Sequence, residues 1–415
     1  MDALNFLTGL LKNRARQVED WLEKRWGSTV PLPYFSCDIR HADFKLAVVD
    51  TNLFPGGFNN LCNAFTRETQ KAFMTYFDTY YPQAKSIALL AETHTRNKFY
   101  LLNILKLQNL INASGRKCFI TMVLPDIKEA TTKITLSNDE KLEIHLPQLD
   151  PNRRLNLAGE IIDLILSNND FSLGVPHPFN ETTTPIIPHP SLGWQQRLKS
   201  RHFEILESLT RSFVNDFGAG DSPLDPWLFS PLTQRIANVS ESNLSDLSQA
   251  VGSMLSSLRE KYQTHHITEQ PHIFIKNDSG TYGLGVTSVF SAEEVLNLNR
   301  KKRQKLFAAK NGGQNRDFII QEGIPTHDSY SEFPIEPVIY GVGKVPVGGF
   351  FRIHETKTAY ESLNSPGMSF SCLCLHKLDE PHEAPFICCQ SKEDVVLGSR
   401  FLARLASLAA ALEHV

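Results

Sequence analysis

Neither sign of charge dominates this chain: 42 lysines and arginines stand against 45 aspartates and glutamates, a formal net charge of -3. No global basic field exists to hold a phosphate backbone, so nucleic acid is not an expected partner. Long apolar runs are missing too. The longest, such as Leu408-Ala409-Ala410-Ala411-Leu412, fall far short of the ~20 residues that cross a bilayer, and no membrane span is expected. The amino-terminal stretch places Lys12, Arg14 and Arg16 after its apolar residues, the reverse of a secretory leader, which makes a cytoplasmic location the expectation. Cysteine is sparse and unpatterned. The seven residues are an odd set, and neither Cys372-Leu373-Cys374 nor Cys388-Cys389 has the C-x-x-C spacing of a zinc site, so reduced thiols are expected.

What is present is an ordinary globular composition, 41% hydrophobic and 21% charged, which excludes disordered and collagen-like chains. At ~150 residues per domain, a chain of 415 residues predicts two to three domains. Apolar residues at Leu4, Leu7, Leu10, Leu11, Val18, Trp21 and Leu22 predict one long amphipathic helix over 2–26. Strand-like runs at 44–50, 86–91 and 117–124 alternate with helical stretches at 61–80 and 96–113, which predicts a parallel sheet of βαβ units. A proline-rich segment from Val175 to Pro190 reads as a linker or exposed loop. Helices are predicted over 194–214, 243–263 and 393–412, and strands over 272–276, 317–321, 335–340 and 348–353. The expected class is mixed α/β, with an amino-terminal α/β domain led by a helix (1–190), a helical connecting region (191–268) and a β-rich carboxy-terminal region (269–415).

The chemistry concentrates in a few places. The run from His272 to Val286 brings Lys276 up a strand and then passes through Ser279, Gly280, Gly283 and Gly285. Glycines let backbone N–H groups approach an anion, and a neighbouring ammonium adds a point charge, the design of a phosphate cradle. It is neither a Walker A motif nor a Rossmann fingerprint. Gln321 and Glu322 end an apolar strand, an end that could offer backbone groups to an adenine edge and the Glu322 carboxylate to ribose hydroxyls, or simply lead into a turn. Glu336 opens the next strand, Arg352 ends another, and Asn364 lies in a loop whose amide oxygen suits a hard cation. In the first half, the loop Thr51-Asn52-Leu53-Phe54-Pro55-Gly56-Gly57-Phe58-Asn59-Asn60 follows a strand end, where open α/β sheets bind ligands. The basic run 301–305 and the pair His265-His266 read as solvated surface.

In that order, Lys276 with its glycine loop, Glu322, Glu336, Arg352 and Asn364 resemble the nucleotide half of the ATP-grasp superfamily. Within it, the strings Val49 to Leu61, Lys276 to Gly283, and Asn364-Ser365-Pro366-Gly367-Met368 are similar to the proteobacterial ATP-grasp glutamate-cysteine ligases. The resemblance covers the chain from about residue 30 onward. It implies ATP-dependent joining of the γ-carboxylate of L-glutamate to the amine of L-cysteine through an acyl phosphate, the first step of glutathione synthesis, with ATP and Mg²⁺ as cofactors. Lys276 and Arg352 then supply catalytic positive charge, and Lys276, Ser279, Gly280, Gly283, Gly285, Gln321 and Glu322 hold ATP. Arg40, Asp50, Asn52, Asn59, Asn60 and Arg96 are the expected amino-acid contacts. The chain departs from many ATP-grasp ligases in ending on an apolar helix without a carboxylate-x-Asn motif, so metal ligands are expected from Glu336 with Asn364, alongside Glu355 or Glu361. Another carboxylate-amine ligase and a non-catalytic nucleotide- or metabolite-binding protein are the alternatives, and a homo-oligomer is compatible with the sequence.

Overall fold

A computed structural model describes residues 3–93, 96–124, 129–136, 140–218, 224–279, 286–308, 316–373 and 392–414. The fold is mixed α/β, as expected, but the sheets are assembled differently from the expectation.

The strand predicted at 44–50 does not join a parallel sheet. Lys45–Asn52 instead forms a hairpin with Phe35–Ala42, which pairs on its other side with Phe333–Val342. Ala42 opposes Lys45 across a two-residue turn, so the nearest available partner takes the strand. The antiparallel sheet continues through Val345–His354 to Met368–Cys372. Both ends of the sequence therefore build one sheet, and cuts after residues 190 and 268 would sever it.

A parallel sheet does form, one step further along. Ile186–Ile187, Leu164–Ser167, Ser86–Leu90, Lys117–Thr121 and Lys141–His145 lie side by side in that order, with Thr131–Thr135 antiparallel at the edge. The proline-rich segment thus contributes a short strand. The helix Lys98–Ala113 packs on Lys117–Thr121 of this sheet, and Thr66–Tyr80 packs between that helix and the antiparallel sheet.

A four-stranded antiparallel sheet holds the predicted lysine strand. Its order is Thr233–Ile236, Phe318–Glu322, Ile273–Asn277, Thr287–Val289.

The predicted first helix is two helices, Ala3–Asn13 and Ala15–Trp26, broken at Arg14. The apolar stripe lapses between Leu11 and Val18, so each half buries its own face, Leu7 and Leu10 in one and Val18, Trp21, Leu22 and Trp26 in the other. Among the described residues one helix, Glu393–Leu412, is long and apolar enough to cross a membrane, and 78% of its apolar window is buried inside the fold. It packs on Ala3–Asn13, Lys199–Phe217 and Lys45–Asn52.

Candidate active site

One face of the large antiparallel sheet is charged, and the period-two geometry of strands accounts for it. Asp38 and Arg40 lie two apart on one strand; Asp50 sits directly opposite Asp38, and Glu336 directly opposite Arg352. The register shifts after Asp38, leaving Val49 as the extra residue of a bulge beside this cluster. The face forms a wall of a cavity of about 420 Å³ whose other wall includes Phe274 and Lys276 of the four-stranded sheet.

Four of the charges neutralise one another. Arg352 grips Asp38 with two N–H groups, at 2.7 and 3.2 Å, and also donates to Glu336 Oε1. The other Glu336 oxygen lies 2.5 Å from Arg40 Nε. Burial works to raise the Glu336 carboxyl, but Arg40 and Arg352 outweigh it and hold it below its ordinary value. Asp38 is pushed up by burial, which Arg352 offsets only in part. The remaining Arg40 N–H groups donate to the carbonyls of Ala359 and Glu361, at 2.9 and 2.7 Å. Arg40 is thus a strut between the sheet and the 359–361 loop.

The second cluster is unbalanced. Lys199 Nζ donates to Asp50 Oδ1 at 3.0 Å and lies 3.9 Å from the centroid of the Trp194 ring. Lys276 donates to the carbonyl of Val49 at 3.0 Å and to Gln321 Oε1. Burial lowers the Lys276 pKa to about 8, opposed by the charge of Asp50 and reinforced by that of Lys199. Burial would raise the Asp50 carboxyl, yet Lys199 and Lys276 hold it well below the usual carboxylate range. One carboxylate between two ammonium groups leaves positive charge at the cavity wall, the environment that an anionic group seeks.

Of the residues singled out by sequence, Arg40, Asp50, Asn52, Lys276, Glu336 and Asn364 line this one cavity. Gln321 is buried behind it, joined to Lys276. Arg352 is buried beneath the wall and meets the carboxylates rather than the open space. Ser279 is half-buried, whereas Gly280, Gly283 and Gly285 lie outside the described residues. Asn59 and Asn60 sit in the short 3₁₀ turn Phe58–Asn60 and do not line the cavity. Arg96 is exposed and also apart from it. Glu322 departs most from its expected role. Its side chain is fully buried, and Oε2 accepts from Lys45 Nζ at 2.7 Å and from Trp227 Nε1 and Leu232 N, each at 2.9 Å. That carboxylate is an internal counter-ion and is not presented to a ribose.

The expected metal set does not fit either. Both oxygens of Glu336 already accept from guanidinium groups, Glu355 is exposed, and Glu361 is engaged by Lys357. Among the described residues no group of three His, Cys, Asp or Glu side chains is arranged to hold a metal ion.

Sequence reasoning passed over Asp38, Asn168, Asp170, Trp194 and Lys199, all of which line the cavity. Glu92 holds Asp170 in place by accepting from its backbone N–H at 2.9 Å, and the Glu92 backbone N–H in turn donates to the Tyr100 hydroxyl oxygen at 2.8 Å. Asn103 accepts from Gly57 N and Phe58 N, each at 2.9 Å, and Asn168 donates to the Pro55 carbonyl at 3.1 Å, which fixes the amide-rich loop. Gly57 is needed there: its φ is +117°, and a Cβ would stand 2.7 Å from the Tyr340 hydroxyl oxygen. A signal for Lys199 did exist. The helix Lys199–Phe217 has no acidic residue in its first turn and opens with Lys199 and Arg201, against the helix dipole.

Comparison with known proteins agrees with this chemistry. The family model described as glutamate-cysteine ligase matches residues 9–414. A solved structure from Methylobacillus flagellatus, provisionally named as a gamma-glutamylcysteine synthetase, is 33% identical with a TM-score of 0.86, over 99% of this chain and 96% of that one. A glutathione synthetase-like effector from Globodera pallida (11% identity, 89% and 83% of the two chains, TM-score 0.39) and D-alanyl-alanine synthetase A from Vibrio cholerae (10%, 72% and 76%, 0.31) are too distant to carry an argument. No curated protein sequence matches. With the family model spanning nearly its whole length, the chain belongs to the glutamate-cysteine ligase family and joins L-glutamate to L-cysteine at the expense of ATP, for glutathione biosynthesis.

Proposed function

We propose that ligation takes place in the cavity between the charged face of the antiparallel sheet and the lysine strand, with ATP between the two sheets in the ATP-grasp manner. The observation that carries this reading is Asp50 flanked by two ammonium groups, Lys199 at 3.0 Å and Lys276 near enough to depress its pKa. A carboxylate is inert toward an amine at neutral pH, so ATP first converts the γ-carboxylate of glutamate to an acyl phosphate, releasing ADP. The cysteine amine then attacks the acyl carbon and phosphate leaves. Charge stabilisation matters most in such a transfer. Lys276 is assigned to the transferring phosphoryl group and Lys199 to a substrate carboxylate, while Asp170 and Asn168 offer polar acceptors at another part of the wall for an ammonium group. Arg352 acts behind the wall by holding Asp38 and Glu336.

Mg²⁺ belongs to this reading as the ion that arrives with the triphosphate, where it keeps much of its water and needs few protein ligands. Glu336 is not assigned to it. A cytoplasmic setting is part of the same proposal, supported by the free thiols Cys37, Cys62 and Cys118.

The test is inorganic phosphate release from ATP and Mg²⁺ with L-glutamate fixed and the second amino acid varied, with mass detection of the product. Release that requires both glutamate and cysteine, with a γ-linked dipeptide, is expected. Release with another amine in place of cysteine would overturn the acceptor assignment, and ATP binding without release under any combination would overturn catalysis.

A further inference from the structure

Asp278 follows the strand that carries Lys276, is fully buried, and does not line the cavity. Its bonds run instead to the start of the helix Lys199–Phe217. The Asp278 carbonyl accepts from Lys199 N at 2.8 Å, Oδ1 from Ser200 N at 2.8 Å, and Oδ2 from Ser200 Oγ at 2.8 Å. Arg235 Nε lies 3.1 Å from Oδ2 and balances the charge. A helix start leaves amides without intrahelical partners, and Leu198, at the capping position here, supplies no side-chain acceptor. Asp278 supplies it from another sheet. Its negative charge also suits the positive end of the helix dipole, beside the two cations of the first turn.

The residue so fixed is Lys199, whose ammonium bonds Asp50 at 3.0 Å over the face of Trp194. Two residues before Asp278 stands Lys276, bonded to Val49 across the cavity. One buried aspartate, through its backbone carbonyl to Lys199 N and its carboxylate to Ser200, therefore joins the strand of one cavity lysine to the helix start that carries the other. We infer that Asp278 is a positioning residue for the ligation, setting Lys199 relative to Lys276 through the helix start that it caps. The inference rests on the reading of Lys199 as the anchor of a substrate carboxylate.

A kinetic double-mutant cycle on the full chain tests it, with Asp278→Asn, Lys199→Met and the double variant compared for kcat, for KM of each substrate and for melting temperature. The aspartate variant is expected to lower kcat/KM for one amino acid by ~10-fold, and by less than ~2-fold once Lys199 is methionine, because coupled residues are non-additive. Ser200→Ala, which removes one of the three bonds, gives a milder form of the same cycle and covers the case in which Asp278→Asn does not fold. Equal losses in both backgrounds, with Lys199→Met itself impaired, would overturn the positioning role and leave Asp278 a cap for the fold alone. Unchanged kinetic constants in Lys199→Met would overturn the anchor reading and the inference with it.

Discussion

Lys276 Nζ donates to the carbonyl of Val49, 3.0 Å away, and so ties the four-stranded sheet to the bulge of the antiparallel sheet. The ammonium that makes this bond is the same group assigned to the phosphoryl transfer, so activity and stability are measured separately in its variant. Lys276→Met is expected to lower kcat by ~10²- to 10³-fold, the scale for losing one preorganised charge-stabilising group. The melting temperature should change little, since a desolvated ammonium is replaced by an apolar side chain of similar length. Near-native turnover in the variant would remove Lys276 from the reaction.

The pH dependence follows from burial, which lowers the Lys276 pKa to about 8. Activity should fall as pH rises through about 8, because the working form is the ammonium. Stability should move the other way. Between about 8 and the ordinary lysine range near 10.5, the unfolded chain holds the proton and the folded chain does not, so this residue's contribution rises with pH across that window. Below about 8 both states are protonated and the burial penalty is fully present. A pH-rate profile that stays level to about 10 would contradict the assignment.

Glu322→Gln distinguishes an internal counter-ion from a ribose contact. Lys45 and Glu322 are both without side-chain exposure, and Lys45 also lies 4.0 Å from the centroid of the Trp227 ring. Removing one member of a buried pair costs about 3–5 kcal/mol. The expected result is a clearly lower urea midpoint with KM for ATP within ~2-fold of the native value, given that the carboxylate faces the core. Unchanged stability with a large rise in that KM would restore the ribose role.

Glu413 closes the fold near the carboxy end. Arg197 grips it at 2.7 and 2.9 Å, His202 Nδ1 lies 2.7 Å from it, and Arg197 also donates to the Thr51 carbonyl at 2.8 Å, next to Asp50. Burial would raise the Glu413 carboxyl, but Arg197 and then His202 bring it down to about 2. His202 is itself lowered by burial, which outweighs the pull of Glu413, and its Nδ1 faces a carboxylate oxygen that can only accept. A depressed carboxylate stabilises the fold above its unfolded value of about 4.5, and that contribution is lost as pH falls toward about 2. It is on the order of 3 kcal/mol. Acid unfolding of Glu413→Gln, followed by circular dichroism, should show lower stability at neutral pH and a smaller further loss between pH ~4.5 and ~2. The same acid sensitivity as the native chain would contradict this account.

Glu336→Gln addresses the metal. With both carboxylate oxygens held by Arg40 and Arg352, the substitution should lower the melting temperature and leave the Mg²⁺ concentration for half-maximal activity within ~3-fold, whereas even loss of an outer partner of a metal typically costs ~10- to 100-fold in affinity or activity. A rise on that larger scale would return Glu336 to the metal.

Local patterns were readable, and pairings between distant segments were not. The spacing of Leu247, Val251, Met254, Leu255 and Leu258 is a helix period and produced the helix Ser245–Thr264. Lys276 on a strand before a glycine-rich run, and Asp50 and Asn52 at a strand end, were likewise local signals, and these residues share the cavity. Nothing near Cys37 announces that it opposes Ile339, and without that pairing Asp38 is not seen to meet Arg352. The same gap misdirected Glu322, because its partner Lys45 comes from the hairpin at the other end of the chain. Lys199 was legible only as a violation, a cation where a helix start favours an anion.

The most direct test of the central claim is a crystal structure with a non-hydrolysable ATP analogue, Mg²⁺ and L-glutamate. The account predicts the terminal phosphate within hydrogen-bond reach of Lys276 Nζ, at ~3 Å, and a glutamate carboxylate at a similar distance from Lys199 Nζ, inside the cavity that Asp50 lines. Nucleotide or glutamate bound outside that cavity, with Lys276 and Lys199 still engaged only by Val49, Gln321 and Asp50, would contradict it.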